Sequence, residues 1–288
     1  MKRPVRFVIA LALSIPLGAL PSGAQTGAPA AAPDCHPIAV PARSTAPLGT
    51  VTCTGVRPGA LVQTPVGFCT ENFLFKGSDG YRYIGTAGHC ILSDPNATVP
   101  LAGANLGERV WALGKGPVAK DAAGHRIGLF AYAVVSEPKD FALIRLDKNV
   151  PASAAMCFFG GPSGVNATGS GVNVLHYYGN GTSLNPLIDT RNSFADLSET
   201  LPARTAISTE TDSPDHVYAW GLVVPGDSGG PLIDDNGRAL GVIVTTGEHA
   251  GDNVMDTGLM GATRLMPQLR RAASALRLRT MTLMTAAY

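Results

Sequence analysis

Short apolar runs, each of strand length and bounded by turn-forming residues, constrain the fold of this chain more than any other feature. They occupy residues 73–75, 81–84, 127–135, 141–146, 172–178, 217–224 and 240–244. Glycine (34) and proline (22) make up close to one in five of the 288 residues, without a collagen period. Because 45% of the residues are hydrophobic, the composition excludes a disordered chain. The pattern predicts an all-β, antiparallel sandwich or barrel.

The first 24 residues have the organisation of an export signal. Lys2, Arg3 and Arg6 precede an apolar stretch over residues 7–20, and small residues end at Ala24. The stretch is short for a membrane span and contains Pro16 and Gly18, so we expect cleavage and no stable membrane anchor. The mature protein is predicted to be secreted, to the extracellular space or to a periplasm where the source has an outer membrane.

The charge distribution argues against nucleic acid as a partner. Residues 25–263 contain 14 basic and 21 acidic residues. Phosphate binding needs a basic face, which a segment with this excess of acidic residues does not offer.

Residues 25–55, rich in alanine and proline, are predicted to form an extended N-terminal arm. Leu265, Leu269, Ala272 and Leu276 recur at helical spacing and predict a helix over about 264–279.

Three motifs contain residue types suited to nucleophilic catalysis. They are Thr86-Ala-Gly-His-Cys90, Asp140-Phe-Ala-Leu-Ile144 and Gly226-Asp-Ser-Gly-Gly-Pro231. Alone, His89 could be a core histidine, Asp140 one acid among 21, and Ser228 part of a glycine-rich turn. Together and in this order, from about residue 65 to the C-terminus, they resemble the chymotrypsin-like (trypsin-like) serine proteases, in particular the bacterial secreted branch.

The resemblance implies two six-stranded antiparallel β-barrels, near residues 60–150 and 165–260, in a domain spanning 56–280. It implies that Ser228 is the nucleophile, His89 the general base and acid, and Asp140 the orienting carboxylate. The N–H groups of Gly226 and Ser228 would form the oxyanion hole. The implied activity is peptide-bond hydrolysis by a monomer acting on proteins or peptides, without a cofactor.

Elementary chemistry explains why this activity needs these residue types. A serine hydroxyl is a poor nucleophile near neutral pH, so a base must accept its proton during attack. Imidazole accepts and returns a proton near neutral pH, and a buried carboxylate selects its tautomer. The motifs therefore predict acyl transfer through a covalent intermediate.

Two other functions compete with this hypothesis. The segment from Gly226 to Gly230 also satisfies G-x-S-x-G, the nucleophile elbow of α/β-hydrolase esterases. That fold places its acid and histidine after the serine, among alternating strands and helices, which are lacking in the 60 residues that follow Ser228. The second alternative is a catalytically idle, secreted binding module on the same scaffold.

The five cysteines are consistent with export. The resemblance implies a disulfide between Cys69 and Cys90. Cys157 could pair with Cys35 or Cys53, or those two could pair with each other. We expect no metal site, since no Cys-x-x-Cys pair or histidine-rich spacing is present.

Substrate preference is predicted from the resemblance. The pocket floor of the family lies six positions before the nucleophile, which here is Leu222, with Thr245, Thr246 and Gly247 forming one wall. An apolar floor favours apolar residues over Lys or Arg before the cleaved bond, because an unpaired buried cation is costly. Asp252 or Asp256, reaching the pocket from another strand, would change that preference.

The sequence lacks the features of proteolytic activation found in digestive members of the family. Those enzymes expose a new N-terminus whose amine pairs with the aspartate before the serine. Around the expected place this chain reads Val56-Arg57-Pro58-Gly59, and Pro58 would block cleavage after Arg57. We therefore expect Asp227 to have a different partner.

Overall fold

The computed structural model describes residues 53, 55–94, 96, 105–168, 173–181, 202–208, 213–246 and 259–288. The predicted signal peptide and most of the predicted arm lie outside the described residues. In the described part of the chain, strands greatly outnumber helices, and no helix is long and apolar enough to cross a membrane.

The first sheet is antiparallel and is built mainly from the N-terminal half of the chain. Its strand order is β16-β3-β4-β8-β7-β6-β1-β2, with β5 pairing to β7. The strands are β1 (Leu61–Gln63), β2 (Phe68–Thr70), β3 (Leu74–Gly77), β4 (Arg82–Thr86), β5 (Gly107–Val110), β6 (Val118–Lys120), β7 (Arg126–Ser136), β8 (Lys139–Leu146) and β16 (Met281–Leu283).

Strands β7 and β8 form the central hairpin of this sheet. Most residues of both strands are buried, because they combine β-branched, aromatic and small apolar residues with few charges. Phe141 of β8 packs edge-to-face on Phe75 of β3, with ring centroids 6.4 Å apart. The hairpin thus anchors the start of β8, where Asp140 lies.

The second sheet closes on itself. Six antiparallel strands run in the order β13-β10-β11-β12-β15-β14, β14 pairs back to β13, and the short β9 adds to β14 in parallel. The strands are β9 (Gly164–Val165), β10 (Val174–Tyr178), β11 (Ala203–Ser208), β12 (His216–Trp220), β13 (Pro231–Asp234), β14 (Arg238–Thr246) and β15 (Leu259–Arg264). The second sheet is therefore a six-stranded barrel with one extra strand.

The predicted all-β fold is confirmed, with two differences in the first of the two predicted barrels. The first sheet contains nine strands instead of six, because several segments of three or four residues add to it. Unlike the second sheet, it is not closed by any strand pairing between described residues, so it is a half-barrel. An α/β-hydrolase needs a largely parallel sheet with alternating helices, so the observed topology excludes that alternative.

Two predicted elements end earlier than the sequence pattern suggests. The C-terminal helix α2 is Leu265–Ala275, following the short helix α1 (His89–Leu92), and Arg277 has a left-handed φ of 55° that ends the helical path. The apolar run over 217–224 is a strand only to Trp220. Beyond it, the Val224 N–H donates to the Asp227 carboxylate at 2.9 Å instead of joining the sheet.

The C-terminal segment contacts both sheets. After β16 pairs with β3, the Met284 N–H donates to Leu74 O at 2.8 Å. The Gly161 N–H then donates to Ala287 O at 2.6 Å, and the Tyr288 ring packs on Gly237, next to β14. The last residues therefore connect the edge of the first sheet with the segment between β8 and β9 and with the second sheet.

Candidate active site

His89 lies at the start of α1, where its backbone is tightly packed. Gly88 precedes it, and a Cβ atom at Gly88 would overlap the carbonyl oxygen of Val134 in β7. His89 is buried, and its backbone N–H donates to Asp140 Oδ1 at 3.0 Å. The glycine thus lets the histidine segment approach the hairpin that contains Asp140.

Asp140 holds the imidazole as well as the backbone of His89. The distance from His89 Nδ1 to Asp140 Oδ2 is 2.6 Å, and the aspartate is 5% exposed. An ionised carboxylate only accepts hydrogen bonds, so Nδ1 is the donor beside one, and in the neutral imidazole Nε2 then carries the lone pair. The pair therefore holds an imidazole whose second nitrogen can act as a base.

Ser228 lies on a sharp turn that packs against the histidine motif. Gly229 has a φ of 88°, and an added Cβ would come within 2.8 Å of Ala87 N and would overlap Thr86 Oγ1. The Thr70 N–H donates to Ser228 O at 2.8 Å, and that oxygen lies 3.9 Å from Sγ of Cys90, the residue after His89. The structure thus brings the Ser228 backbone beside the segment that contains His89.

The disulfide implied by the resemblance is present between Cys69 and Cys90. It joins β2 to α1, directly after His89. The donor atoms of Cys69, His89 and Cys90 lie within 4.8 Å of one another, a spacing that a metal ion could bridge. The two sulfurs are bonded to each other, however, and supply no thiolates, so the trio does not fit a metal ion.

Two of the other three cysteines lie close to the same backbone carbonyl. Cys53 and Cys157 are both buried; Cys53 Sγ lies 3.8 Å from Pro58 O, and the Cys157 N–H donates to the same oxygen at 3.0 Å. Cys35 lies outside the described residues. The pairing of these three cysteines stays a prediction with its alternatives open.

Asp227 has a partner that the sequence analysis did not identify. It is fully buried and accepts two hydrogen bonds from Arg204, at 2.6 and 2.8 Å. It also accepts from the N–H groups of Gly181 and Val224. Arg204 is one of 14 basic residues between 25 and 263, and no local motif distinguishes it.

Arg204 is itself held in a tyrosine-lined environment. Burial alone would lower the pKa of Arg204, but the charge and hydrogen bonds of Asp227 raise it above its ordinary value. Its guanidinium carbon lies 5.0 Å from the centroid of the Tyr177 ring. Burial also raises the pKa of Tyr177, whose hydroxyl donates to Leu222 O at 2.6 Å.

Leu222 lies two residues after β12, and Thr245 and Thr246 end β14, with β15 between the two strands. Leu222 is half-buried, and its carbonyl accepts from Arg204 and Tyr177. Gly221, just before it, packs on Met260, which is the register partner of Thr246 at the end of β14. Gly247, Asp252 and Asp256 lie outside the described residues.

Thr70 and Asn72 link the two sheets at the site, although neither was identified from the sequence. Thr70 Oγ1 donates to Gly226 O at 2.8 Å and accepts from the Asn180 N–H at 3.0 Å. The Asn72 side-chain amide donates to Gly229 O at 3.1 Å. These bonds tie the segment around Ser228 to the end of β2.

Comparison with known protein families identifies the family of this chain. A family model for the trypsin-like peptidase domain matches residues 69–242, which is more than half of the chain. No match is found among curated proteins.

Similar solved structures include three bacterial proteases. The Nocardiopsis protease NAPase is 17% identical with a TM-score of 0.49, and the match covers 79% of this chain and 98% of that one. Thermobifida fusca protease A is 16% identical with a TM-score of 0.47, covering 80% and 98%. The Cellulomonas bogoriensis chymotrypsin is 18% identical with a TM-score of 0.45, covering 80% and 98%. On the strength of the family model, this chain belongs to the family of trypsin-like peptidase domains.

Proposed function

We propose that this protein is a secreted serine endopeptidase in which Ser228, His89 and Asp140 form the catalytic triad. The observation that carries the proposal is the buried His89–Asp140 pair, with 2.6 Å between Nδ1 and Oδ2, beside the turn that contains Ser228. The family membership supports a peptidase acting on proteins or peptides.

The proposed reaction proceeds through an acyl-enzyme. Ser228 Oγ attacks the carbonyl carbon of the scissile peptide bond while His89 Nε2 accepts the hydroxyl proton. Nε2 then donates that proton to the leaving amine, and Ser228 remains esterified. A water molecule, deprotonated by the same nitrogen, hydrolyses the ester and restores the serine. Asp140 stabilises the imidazolium at both proton transfers.

The backbone around Ser228 is suited to stabilise the oxyanion of each tetrahedral intermediate. The N–H of Asp227 donates to Val224 O, and that of Gly229 donates to Ile243 O. The N–H groups of Gly226 and Ser228, by contrast, make no backbone hydrogen bond to any residue that the structure describes. Two such donors in a preorganised turn contribute about 3–4 kcal/mol each to transition-state stabilisation.

The ion pair between Arg204 and Asp227 supports activity without proteolytic activation of the digestive type. Arg204 already supplies the positive charge that a new N-terminal amine supplies in those enzymes. We therefore propose that the exported chain reaches its active geometry on folding, as a monomer. An apolar pocket based on Leu222 would favour apolar residues before the cleaved bond.

Labelling with a fluorophosphonate probe tests the proposal. Wild-type protein is expected to react at Ser228 and to cleave casein, whereas Ser228→Ala should lose labelling and about 10⁶-fold in kcat. Ser163→Ala, at an exposed serine about 65 positions before Ser228, is the matched control and should behave as wild type. Labelling or cleavage retained by Ser228→Ala would overturn the assignment, and a wild-type protein inert to both would indicate an idle binding module.

A further inference from the structure

A cavity of about 210 Å³ lies beside the end of β8, at the opposite end of that strand from Asp140. We call it the basic cavity. Its lining includes the residues on which the proposal below rests, Tyr81, Leu113, Arg126, Phe130, Arg145 and Lys148. Arg145 follows Asp140 by five positions in β8, which is about 16 Å at the usual strand rise. The cavity is therefore separate from the candidate active site but rigidly connected to it.

The basic cavity has a surplus of positive charge. Three basic residues line it, and the only acidic residue in the described lining is Asp147. Arg126 binds both carboxylate oxygens of Asp147, at 2.9 and 3.1 Å, and a guanidinium nitrogen of Arg145 lies 3.7 Å from Asp79 Oδ2, outside the lining. The positive charge that these pairs leave over in the cavity is that of Lys148. The concentration is unusual for this chain, whose residues 25–263 contain 14 basic and 21 acidic residues.

Arg145 is fixed in position before any ligand arrives. Its guanidinium carbon lies 5.2 Å from the Tyr81 ring centroid and 5.3 Å from that of Tyr83. Its Nε donates to the Tyr83 hydroxyl at 3.0 Å, and that hydroxyl donates to Asp79 at 2.6 Å. Burial and the Asp79 hydrogen bond raise the pKa of Tyr83 to about 12, so the hydroxyl remains a donor. Arg145 thus forms a preorganised wall of the cavity, with its charge offset by Asp79 at 3.7 Å.

Lys148 supplies a second cation that is available to a ligand. It is exposed, and its Nζ lies 6.0 Å from the Tyr81 ring centroid. It makes no ion pair with any residue in the described ranges. Next to this charge the lining includes Leu113, whose exposed fraction is 63%, and the nearby Val110 is 48% exposed. Charge and apolar surface thus lie side by side.

We propose that the basic cavity is a secondary binding site that takes an acidic side chain, flanked by an apolar one, from a protein substrate. A carboxylate would pair with Lys148, next to the ion-paired Arg145, and the neighbouring apolar side chain would cover Leu113. About five extended residues span the distance along β8, so the acidic residue would lie several positions from the cleaved bond. The substrate role rests on the proposed function, whereas binding itself needs no catalysis.

Binding is measured in a Ser228→Ala/Trp220→Phe background, which prevents cleavage and leaves Trp111 as the only tryptophan. The Trp111 ring lies 6.3 Å from that of Phe130 in the cavity lining, so energy transfer to a dansyl group reports on this site. The probes are acetyl-Gly-Leu-Glu-Leu-Gly with a C-terminal dansyl group and its Gln counterpart. We expect the Glu peptide to bind up to about fivefold more tightly, as one exposed ion pair provides.

Lys148→Gln in that background should remove most of this preference, whereas Arg270→Gln, which deletes an equal charge on α2, should not. Equal affinities for the two peptides, or equal effects of the two substitutions, would overturn the proposal. So would inorganic phosphate binding as tightly as the Glu peptide, because the cavity would then select anions without regard to peptide.

Kinetics with otherwise wild-type enzyme test the substrate role. Lys148→Gln should raise KM for a protein substrate with an acidic segment and leave kcat/KM for a short apolar peptide unchanged. An unchanged KM for the protein substrate would contradict the role. If neither substrate is cleaved by any variant, the proposed function fails while the binding result stands, so the two failures are distinguishable.

Discussion

The ion pair between Arg204 and Asp227 holds the backbone that leads into the candidate nucleophile. Asp227 precedes Ser228, and its carboxylate oxygens are shared by Arg204 and two backbone N–H groups. A buried carboxylate with this many donors is stable only while its cationic partner remains. The geometry of the turn therefore depends on a residue 23 positions upstream of Asp227.

Arg204→Met should lower the free energy of unfolding by about 3–5 kcal/mol, because it leaves the Asp227 charge buried and unpaired. Adding Asp227→Asn should recover part of the loss, since a neutral amide needs no cation. Urea denaturation measures both values. Arg126→Met, which breaks the exposed pair with Asp147, is the control and should cost at most about 1 kcal/mol. Similar losses for the two arginines would contradict the prediction.

Glu71 is a second buried carboxyl group, next to Thr70. Its Oε2 accepts from the Arg57 N–H at 2.9 Å, and its Oε1 has no partner among the described residues. Burial raises the pKa of Glu71 well above its ordinary value of 4.5, although the hydrogen bond from Arg57 opposes the rise. The folded protein therefore holds this proton over a range in which the unfolded chain has released it.

Glu71→Gln should become progressively more stable than wild type as the pH rises above about 4.5. The raised folded-state pKa means that wild type loses stability as the pH rises from the unfolded towards the folded value, and glutamine removes that loss. Urea midpoints at pH 4, 5.5 and 7 measure the difference between the two proteins. A difference that stays constant over this range, or that shrinks, would show that Glu71 is not buried as a proton-binding group.

At the scale of elements, the histidine segment is held from two directions. The disulfide ties α1 to β2, and Thr64 Oγ1 donates to Cys90 O at 2.7 Å. On the other side, Gly88 packs against β7. Because α1 is only four residues long, it has little stability of its own and depends on these attachments.

Replacing Cys69 and Cys90 together by alanine should therefore cost about 3 kcal/mol of unfolding free energy, as the entropic model gives for a loop of about 20 residues. Guanidinium denaturation measures the change. Wild-type protein in excess dithiothreitol should converge on the midpoint of the double variant. A double variant as stable as the oxidised wild type would show that the attachment of α1 does not depend on the disulfide.

The elements differ in how well the sequence predicts them. The long apolar runs of β7 and β8 were predicted because burial on both faces leaves an unbroken hydrophobic signal. Strands such as β1, β2, β6 and β16 have only three residues, too few for any periodicity to appear. Likewise, the segment after β12 leaves the sheet because the Val224 N–H donates to Asp227, whose carboxylate is held by Arg204, 23 positions upstream. That ion pair is a tertiary contact with no local sequence signal.

At the scale of the whole molecule, the two sheets share one network of contacts around the site. Thr70 and Asn72, at the end of the first sheet's β2, bind Gly226 and Gly229 in the second half of the chain. His216 of β12 lies 2.7 Å from Glu137, in the β7–β8 hairpin. His89, Asp140 and Ser228 could be proposed from the sequence because they lie in motifs. The non-covalent contacts between the sheets, by contrast, join single residues more than 70 positions apart.

We expect the two sheets to unfold in one transition, since separating them breaks these bonds and exposes the site. The chain has two tryptophans, Trp111 in the first half and Trp220 at the end of β12. The variants Trp111→Phe and Trp220→Phe each leave one tryptophan as a fluorescence reporter. In each variant, the urea midpoint measured by fluorescence should equal the midpoint measured by circular dichroism. Separate midpoints would show that the halves unfold independently.

The pairing of β16 with β3 has a consequence for biosynthesis. Met281 pairs with Gly77, so the edge of β3 stays unpaired until a segment about 200 residues later in the chain has been synthesised. At a translation rate of about 5–20 residues per second, that interval lasts on the order of 10–40 s. An open edge strand offers unpaired N–H and C=O groups to any other chain nearby. The period of greatest exposure to aggregation thus lasts until β16 covers the edge of β3.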